Sequence, residues 1–349
     1  MRPTPSPIQL FLELTTLCNL RCIHCYVSAS TEHVQQLESS TVHTIIRDFH
    51  SMGGSFVSLS GGEPTLHPGW KAAMRYARYL GLDVTLVTNA TRISKSDIRF
   101  LRDMNARLAL SLDGVSAEVH DAIRGQQVFQ RAIASARGFV QTGLGQQLTL
   151  CFTPMASNWR ELPGIVALAD NIGAGCVYVS LLEDRGRAAS RIGELALSQE
   201  AKQSLLYSLY SLQTRYPQIE IKCPNLRFFT ERLQGIEIDA DALDRTIRVT
   251  ANGELYLTAY LDGPEFLLGS YREGRLEEIW YSEQVACAFQ AAEERRSQIP
   301  DCQNCKAWHW CRGGCATLAW AVNSNFYGVD GYCLAKQAIV NELLGTVRE

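Results

Sequence analysis

Short apolar runs alternate with amphipathic stretches along the first half of the chain. Six runs carry the apolar and β-branched side chains that are typical of buried strands. Between them, apolar residues recur at the spacing of a helix. The predicted strands span 8–15, 56–60, 84–88, 108–112, 148–153 and 177–182, and the predicted helices span 40–52, 70–80, 95–104, 129–142 and 158–172. This α/β alternation predicts a parallel sheet with helices outside it.

The second half of the chain gives fewer periodic signals. An amphipathic helix is predicted over 198–216, and two short strands are predicted over 247–249 and 254–257. Asn252 and Gly253 lie between those two strands, and an Asn-Gly pair in this position predicts a hairpin. Periodicity alone does not distinguish an open sheet from a barrel in the first half.

Composition and charge exclude several classes of protein. The chain has 349 residues, is 46% hydrophobic and has a net charge of −3, with no basic run of the kind that binds nucleic acid. No apolar run is long enough to span a membrane, and residues 1–7 do not resemble a signal peptide. The 12 cysteines fall largely in groups with metal-like spacing, which predicts a cytoplasmic metalloprotein rather than a secreted disulfide-bonded one.

Three cysteines lie close together directly after the first predicted strand. Cys18, Cys22 and Cys25 have the spacing C-x3-C-x2-C, which is too tight for a sensible set of disulfides. Iron–sulfur clusters are usually held by four thiolates, so three would leave one iron free to bind a small molecule. A structural zinc site is the alternative, but zinc normally takes a fourth Cys or His, and His24 is adjacent to Cys25 rather than at a finger-like spacing.

This motif after a strand resembles the radical S-adenosylmethionine (SAM) superfamily. The resemblance implies a partial (β/α)6 barrel with the cluster loop after its first strand. In that family the open iron of a [4Fe–4S] cluster chelates SAM, and electron transfer cleaves SAM to a 5′-deoxyadenosyl radical that abstracts a hydrogen atom. The resemblance also implies an electron donor such as flavodoxin or ferredoxin.

Other motif residues follow the later strands, where sites in such folds gather. Residues 61–64 match the family's Gly-Gly-Glu segment, which binds the methionine amino group of SAM, although an ordinary glycine-rich turn would read the same. Residues 88–90 read Thr-Asn-Ala where similar proteins read Thr-Asn-Gly. The residues that the resemblance assigns to SAM are Gly61, Gly62, Glu63, Pro64, Thr88, Asn89, Ser111, Asp113 and Arg124.

Some of these assignments have plain alternatives. Asp113 precedes Gly114 and could instead cap a turn. Arg124 has the geometry to bind a carboxylate through two hydrogen bonds, but it could equally form a surface salt bridge. The charged segment 183–188 contains a Gly-Arg-Ala sequence common in similar proteins, and it either contacts SAM or substrate or forms a solvated loop.

A second group of cysteines lies near the C-terminus. Its spacing, C-x2-C-x5-C-x3-C followed by one more Cys, resembles the SPASM extension of radical SAM enzymes, with a zinc ribbon as the alternative. The resemblance implies a barrel over 1–216 and a SPASM-like domain over 217–349. It assigns Cys302, Cys305, Cys311 and Cys333 to one auxiliary [4Fe–4S] cluster and Cys315 to a second.

The hairpin departs from the SPASM pattern. Gly253 is followed at the usual ligand position by Thr258, and no cysteine lies between Cys223 and Cys287. We therefore expect one auxiliary cluster. Ala259 stands where sulfatase-maturating members carry an Asp base, which argues against their chemistry. Cys223 is a candidate hydrogen-atom donor, although lone cysteines are usually small buried hydrophobes.

The leading hypothesis is a radical SAM/SPASM enzyme that abstracts a carbon-bound hydrogen from a natural-product precursor. A ribosomally made peptide is favoured, with crosslinking, epimerisation or oxidation as the outcome. The sequence begins at the barrel, so such a peptide would bind directly or through a separate carrier. One alternative is a dehydrogenase or epimerase of a sugar or aminoglycoside. Another is a non-catalytic iron–sulfur electron carrier, which would need no SAM pocket.

Overall fold

Ten strands form one sheet in the computed structural model, which describes residues 4–237, 243–261 and 263–346, without the side chains of 345 and 346. The strands are β1 (Gln9–Thr15), β2 (Phe56–Gly61), β3 (Asp83–Thr88), β4 (Arg107–Ser111), β5 (Leu148–Phe152), β6 (Cys176–Val179), β7 (Glu220–Lys222), β8 (Thr246–Val249), β9 (Glu254–Leu257) and β10 (Leu267–Ser270).

Helices follow most of these strands. They are α1 (Ser39–Ser51), α2 (Trp70–Tyr79), α3 (Lys95–Asp103), α4 (Ala117–Arg124), α5 (Val128–Phe139), α6 (Leu162–Ile172), α7 (Ile192–Leu195), α8 (Gln199–Arg215), α9 (Arg227–Leu233), α10 (Leu276–Trp280), α11 (Glu283–Gln298), α12 (Trp308–Cys311), α13 (Ala316–Asn323) and α14 (Cys333–Thr346). The predicted strands and helices of the first half are all present, with ends that differ by a few residues.

The sheet has the order β10-β9-β8-β1-β2-β3-β4-β5-β6-β7. From β8 through β1 to β7, each strand is parallel to the next one in this order. Strand β9 pairs antiparallel with β8 and with β10. Within the described residues β7 and β10 do not pair with each other, so the barrel is partial, as predicted. The predicted hairpin is confirmed, with Gly253 at φ 84° in its turn. The boundary at residue 216 stays a prediction, because β7 to β10 extend the same sheet.

Alternation along the strands separates the core from the barrel interior. On β5, Leu148, Leu150 and Phe152 are fully buried against the helices, whereas Thr149 and Cys151 point the opposite way, into the barrel. The outer face therefore forms the apolar core, and the inner face carries polar and thiol side chains that are available to a ligand.

Periodicity missed α4, as it missed α7 and the helices from α9 to α14. Helix α4 is a brief element whose Ser116 side chain accepts a hydrogen bond from the backbone N–H of Val119. Its single capping serine was the available signal, but two turns are too few for a helical pattern. This helix ends at Arg124 and so positions that side chain. Among the described residues, no helix is both long and apolar enough to span a membrane.

Two glycines fasten the end of β2 to the chain that leads into Cys18. The N–H of Gly62 donates to the carbonyl of Thr15 at 2.7 Å, and the N–H of Glu63 donates to the carbonyl of Leu17 at 2.8 Å. Gly61 has φ 113°, and a Cβ there would overlap the Thr15 carbonyl oxygen. The paired glycines thus admit a neighbouring backbone, in addition to any ligand.

We predict that Gly61→Ala destabilises the protein by about 2–6 kcal/mol, because a strained φ and an overpacked contact each cost about 1–3 kcal/mol. The matched control is Gly81→Ala, where φ is 82° and nothing lies within 4 Å of an added Cβ. That variant should lose only about 1–2 kcal/mol, the cost of a side chain in the left-handed region without any added contact. Thermal unfolding of the two variants measures the difference, and equal shifts in Tm would show that the close approach to Thr15 is unimportant.

Candidate cofactor and metal site

A cavity of about 500 Å³ lies inside the partial barrel. Cys18, Cys22 and Cys25 line it from the loop that follows β1. Six further residues that the resemblance assigned to SAM line it from the ends of β2, β3, β4 and α4. They are Gly61, Gly62, Thr88, Asn89, Ser111 and Arg124. The fold therefore gathers at one cavity groups that are far apart in the chain.

Each of the three sulfurs accepts an N–H hydrogen bond. Cys18 accepts from the backbone of Leu20 at 3.4 Å and from Nδ2 of Asn89 at 3.8 Å. Cys25 accepts from the backbone of Ala29 at 3.4 Å, and Cys22 accepts from Nη1 of Arg124 at 3.9 Å. Burial raises the pKa of Cys18 to about 12 and also raises the pKa of Cys22. Thiols that ionise so reluctantly become thiolates when a metal displaces their protons, and N–H donors then stabilise the negative sulfur.

Arg187 holds the cysteine loop in place from the segment after β6. Its Nε donates to the carbonyl of Cys22 at 2.9 Å, and its Nη1 donates to the carbonyl of Ala29 at 2.8 Å. Its backbone N–H donates to the carbonyl of Cys25 at 2.9 Å. Gly186 lies so close to the Cys25 carbonyl that no side chain would fit there. The Gly-Arg-Ala segment therefore supports the cysteine loop and is not itself a solvated loop.

Glu63 lies behind the cavity wall. Its fully buried carboxylate accepts hydrogen bonds from the hydroxyl of Thr88 at 2.7 Å and from the backbone N–H of Asn89 at 2.9 Å. It also accepts from the hydroxyl of Thr65 at 2.6 Å. Burial raises the pKa of this carboxyl. Glu63 thus ties the end of β2 to the end of β3. Pro64 is buried beside it, and neither residue lines the cavity, so their SAM contacts stay predictions.

Asp113 and Arg124 form a buried ion pair. Oδ2 of Asp113 lies 2.6 Å from Nε of Arg124, and Oδ1 accepts a hydrogen bond from the backbone N–H of Thr153 at 3.0 Å. Burial acts to raise the pKa of Asp113, but the Arg124 guanidinium, together with the neighbouring His24 and the Thr153 N–H, holds that pKa below its usual value. Nη2 of Arg124 contacts Nε2 of His24 at 3.3 Å. The salt bridge considered for Arg124 exists, but it lies inside the cavity wall rather than on the surface.

His24 also belongs to the site. It lines the cavity, and burial lowers its pKa to about 4, so the ring is neutral. Its Nδ1 has no hydrogen-bond partner among the described residues. Its position beside Cys25 in the motif was the signal that could have predicted that His24 lines the cavity.

Sequence reasoning missed several other cavity residues. Tyr178 on β6 and Tyr260 after β9 donate and accept one hydrogen bond between their hydroxyls, and both line the cavity. Tyr26 lines it too, with its ring 4.5 Å from the guanidinium of Arg185, which belongs to the charged segment named in the sequence analysis. Cys151 faces the same cavity from β5. The inward alternation of β5 and β6 could have indicated Cys151 and Tyr178, whereas nothing in the motifs indicated Tyr260.

The second group of cysteines also converges. Cys302, Cys305, Cys311 and Cys333 are close enough that burial and their mutual repulsion raise the pKa of Cys302 to about 11 and of Cys333 to about 12. Nε2 of Gln337 donates to the sulfurs of Cys305 at 3.7 Å and of Cys333 at 3.6 Å. In the described part of the chain, no three Cys, His, Asp or Glu side chains are placed so that they could hold a single metal ion.

Three further residues from the sequence analysis occupy different environments. Cys315 is partly exposed, and its sulfur lies 3.0 Å from the hydroxyl of Thr317. Thr258 is fully buried and its hydroxyl accepts hydrogen bonds from the backbone of Tyr260 and Leu261, so it completes a turn. Cys223 is packed in the apolar core and does not line the cavity, so its role as hydrogen donor stays a prediction without structural support.

Two sequence families match the chain. The radical SAM superfamily matches residues 12–159, and the SPASM iron–sulfur cluster-binding domain matches residues 241–306. The chain belongs to the radical SAM superfamily and carries a SPASM domain. It is therefore an enzyme, and the alternative of a non-catalytic electron carrier is excluded.

Similar proteins cover nearly the whole chain. An AdoMet-dependent heme synthase of Methanosarcina barkeri is 28% identical over 95% of this chain and 97% of its own. The mycofactocin maturase MftC of Mycobacterium ulcerans is 28% identical over 94% of this chain and 88% of its own. Among solved structures, anSMEcpe with bound AdoMet has a TM-score of 0.76 at 15% identity, over 98% of this chain and 100% of that one. SuiB of Streptococcus suis bound to S-adenosylmethionine has a TM-score of 0.73 at 18% identity, over 94% of this chain and 77% of that one.

The residues of this radical SAM enzyme fit the groups that the family carries. The enzyme binds [4Fe–4S] clusters and SAM, which excludes the zinc alternatives. Cys18, Cys22 and Cys25 supply three sulfurs with N–H donors at the edge of a cavity large enough for a ligand. Gln337 bonds to Cys305 and Cys333, and Cys302 and Cys311 lie near these thiols, so the assignment of all four to a second cluster stays a prediction with which the geometry agrees.

We predict that Arg187→Gln weakens the hold on the first cluster. Hydrogen bonds from a charged group contribute about 1.5–3 kcal/mol each, so losing two should speed removal of that cluster by a chelator at least about tenfold. Arg187→Lys should restore part of the effect. The control is Arg191→Gln, because Arg191 lies in the same segment after β6 but bonds to Glu194 rather than to the cysteine loop. Loss of the cluster's visible absorbance over time gives the rate, and an unchanged rate in Arg187→Gln would refute the role.

Proposed function

We propose that this radical SAM enzyme removes a carbon-bound hydrogen from a ribosomally made peptide. The observation that carries the proposal is the cavity of about 500 Å³ in which the three thiols of the first motif meet Arg124 and the ends of β2 to β4. A reduced [4Fe–4S] cluster with bound SAM supplies the one-electron chemistry that breaks a carbon–hydrogen bond. Crosslinking, epimerisation and oxidation all begin with that step.

In this chemistry the protein's own residues orient the guanidinium of Arg124 and enclose the reacting groups. The buried Asp113 carboxylate fixes Arg124, so that the guanidinium is directed toward Cys22 and His24. His24 is neutral and adds no charge beside that guanidinium. The barrel wall surrounds the reacting groups, which keeps water from a reactive radical.

Support for a peptide substrate comes from proteins of the same fold. Solved structures include anSMEcpe with the Cp18Cys peptide and SuiB with the precursor peptide SuiA. The base that the sequence analysis associated with sulfatase maturation has no counterpart here, because position 259 is Ala and its carbonyl accepts a hydrogen bond from Arg185. We therefore propose a peptide modification other than that oxidation.

A small-molecule substrate is the second candidate. The observation that favours it is the heme synthase of Methanosarcina barkeri, which matches this chain over nearly its full length. The sugar or aminoglycoside enzyme considered from the sequence belongs to the same candidate class. An electron donor such as flavodoxin or ferredoxin, a separate peptide carrier and a cytoplasmic location remain predictions.

We also propose one auxiliary cluster rather than two. Cys302, Cys305, Cys311 and Cys333 account for it, whereas Thr258 uses its hydroxyl within a turn. Two [4Fe–4S] clusters would bring about eight irons to each chain. In that arrangement Cys315 is not required as a ligand.

We predict that the anaerobically reconstituted enzyme with dithionite converts SAM to 5′-deoxyadenosine. A variant with Cys18, Cys22 and Cys25 all changed to Ala should form none, because the first cluster is lost, whereas Cys287→Ala should behave like the wild type because Cys287 is exposed and outside both motifs. Chromatography of the products measures this, and equal turnover in the triple variant would refute the proposed site.

The substrate class can be tested in the same assay. Deuterium-labelled candidate peptides and labelled sugars are supplied separately, and the mass of 5′-deoxyadenosine is measured. A gain of deuterium only from peptides supports the proposal, and a gain only from sugars supports the second candidate.

A further inference from the structure

Two carboxylates line the cavity among the described residues, those of Glu183 and Asp244. Glu183 forms an ion pair with Arg185, so a neighbouring cation already holds its charge. Asp244 instead accepts hydrogen bonds from the hydroxyl and the backbone N–H of Thr246, and both donors are neutral. An ion-paired carboxylate is a weak proton acceptor, because the cation favours its ionised form. Asp244 is therefore the better proton acceptor in this wall.

The hairpin of β8 and β9 places Asp244 at the cavity. Its antiparallel register continues beyond the two strands, since the N–H of Thr258 donates to the carbonyl of Thr246 at 2.9 Å. Two residues further along, the same register sets Asp244 opposite Tyr260. Because alternate residues share one face of an extended chain, Asp244 and Thr246 both line the cavity. The hairpin thus carries a carboxylate at the cavity although position 259 is Ala.

The opposite wall meets the hairpin at the same place. Tyr178 on β6 shares a hydrogen bond with Tyr260 between their hydroxyls, and both side chains line the cavity. Burial raises the pKa of both phenols, and the nearby Asp244 carboxylate raises it further. Both tyrosines therefore keep their protons near neutral pH. The carboxylate is the group at this junction that can take up a proton.

The surroundings of Asp244 suit a group that accepts a proton and releases it again. Its side chain is exposed to the cavity, but the surrounding protein shields it from bulk water, and this burial raises its pKa to about 6. The two hydrogen bonds from Thr246 lower the pKa but are outweighed. A base is most effective when its pKa lies near the working pH. At neutral pH the Asp244 carboxylate is mostly ionised and still basic.

From this geometry we infer that Asp244 is the catalytic base that takes a proton from the substrate after hydrogen-atom abstraction. The inference deepens the proposed function and rests on it, because the proton leaves the molecule whose carbon–hydrogen bond is broken in the same cavity. It also selects among the outcomes of the proposed reaction. A net oxidation, such as a crosslink or a new double bond, needs a base, whereas an epimerisation returns a hydrogen atom and needs none.

The step balances as a two-electron oxidation. Abstraction removes one hydrogen atom and leaves an unpaired electron on a substrate carbon. An adjacent N–H, O–H or C–H bond then breaks, and its proton binds to the Asp244 carboxylate. Two of the three electrons form the new bond, and the third passes to an oxidised [4Fe–4S] cluster of the enzyme. Asp244 returns the proton to water before the next turnover.

The test replaces Asp244 with Asn, which keeps an oxygen for the Thr246 donors but cannot accept the proton. The anaerobic holoenzyme is given the candidate peptides and sugars, deuterated on carbon, and mass spectrometry measures both products. Asp244→Asn should still transfer deuterium to 5′-deoxyadenosine but should form at least about a hundredfold less oxidised product, since a positioned base contributes that much or more. Asp103→Asn, an exposed change at the end of α3, should alter neither readout.

The pH dependence ties the step to this carboxylate. In the wild type, the yield of oxidised product per deuterated 5′-deoxyadenosine should fall by half near pH 6 and fall further below it, because the protonated acid cannot accept a proton. Thr246→Val removes a hydrogen bond that favours the ionised form, so it should move the midpoint to a higher pH. A merely structural role for Asp244 would leave the midpoint unmoved.

The neighbouring side chains do not produce such a midpoint. The charged and titratable groups that line the cavity from the elements around Asp244 are Tyr178, Glu183, Arg185, Lys222 and Tyr260. Arg227 and Arg245 line the adjoining space on its other side. The ion pair with Arg185 keeps Glu183 ionised. Tyrosine, lysine and arginine side chains ordinarily titrate at about pH 10 or above.

The outcomes separate this inference from the proposed function. Full formation of oxidised product by Asp244→Asn, with deuterium transfer intact, would overturn the inference and leave the proposed function standing. Loss of both readouts in a variant whose Tm is unchanged would also overturn it, because Asp244 would then act before abstraction. An epimer as the wild-type product would have the same consequence.

Two further results remain. If Asp244→Asn does not fold, the midpoint in Thr246→Val decides, and a midpoint equal to that of the wild type would overturn the inference. If no candidate compound transfers deuterium in the wild type, the proposed function and the inference are refuted together.

Discussion

The site depends on how the chain from Cys18 to Cys25 is held, because three sulfurs must face the same cavity before they can bind one cluster. No single element fixes that loop. The turn after β2 fastens its beginning through Gly62, and the segment after β6 fastens its end through Arg187. Arg124, at the end of α4, reaches the central sulfur. The three sulfurs therefore face one cavity only when the elements of the partial barrel that contact this loop are all in place.

That dependence explains which features the sequence could and could not predict. The strands, the helices of the first half and the two groups of cysteines follow from local periodicity and spacing, and the structure contains them. The role of Glu63 did not follow from its motif, because its carboxylate is fully used by Thr88 and Asn89 at the end of the next strand. Contacts of this kind join residues that are distant in sequence, so they cannot be predicted from the spacing of residues in one sequence.

The same reasoning applies to the C-terminal half. Spacing grouped Cys302, Cys305, Cys311 and Cys333, but it did not show that Gln337 donates to two of the sulfurs. Hydrogen bonds to cluster sulfurs are among the features that set reduction potential. The absence of a cysteine at position 258 was visible in the sequence, whereas the use of the Thr258 hydroxyl within a turn became visible only in three dimensions.

The central claim is that the loop from Cys18 to Cys25 holds a cluster with one iron open to the cavity. Mössbauer spectroscopy of the ⁵⁷Fe-reconstituted enzyme tests it most directly. The account predicts about eight irons per chain, of which about one changes its isomer shift when SAM is added. It also predicts that this responsive iron disappears when the three cysteines are replaced by Ala. A spectrum that SAM leaves unchanged, or a SAM-responsive iron that survives in the triple variant, would contradict the account.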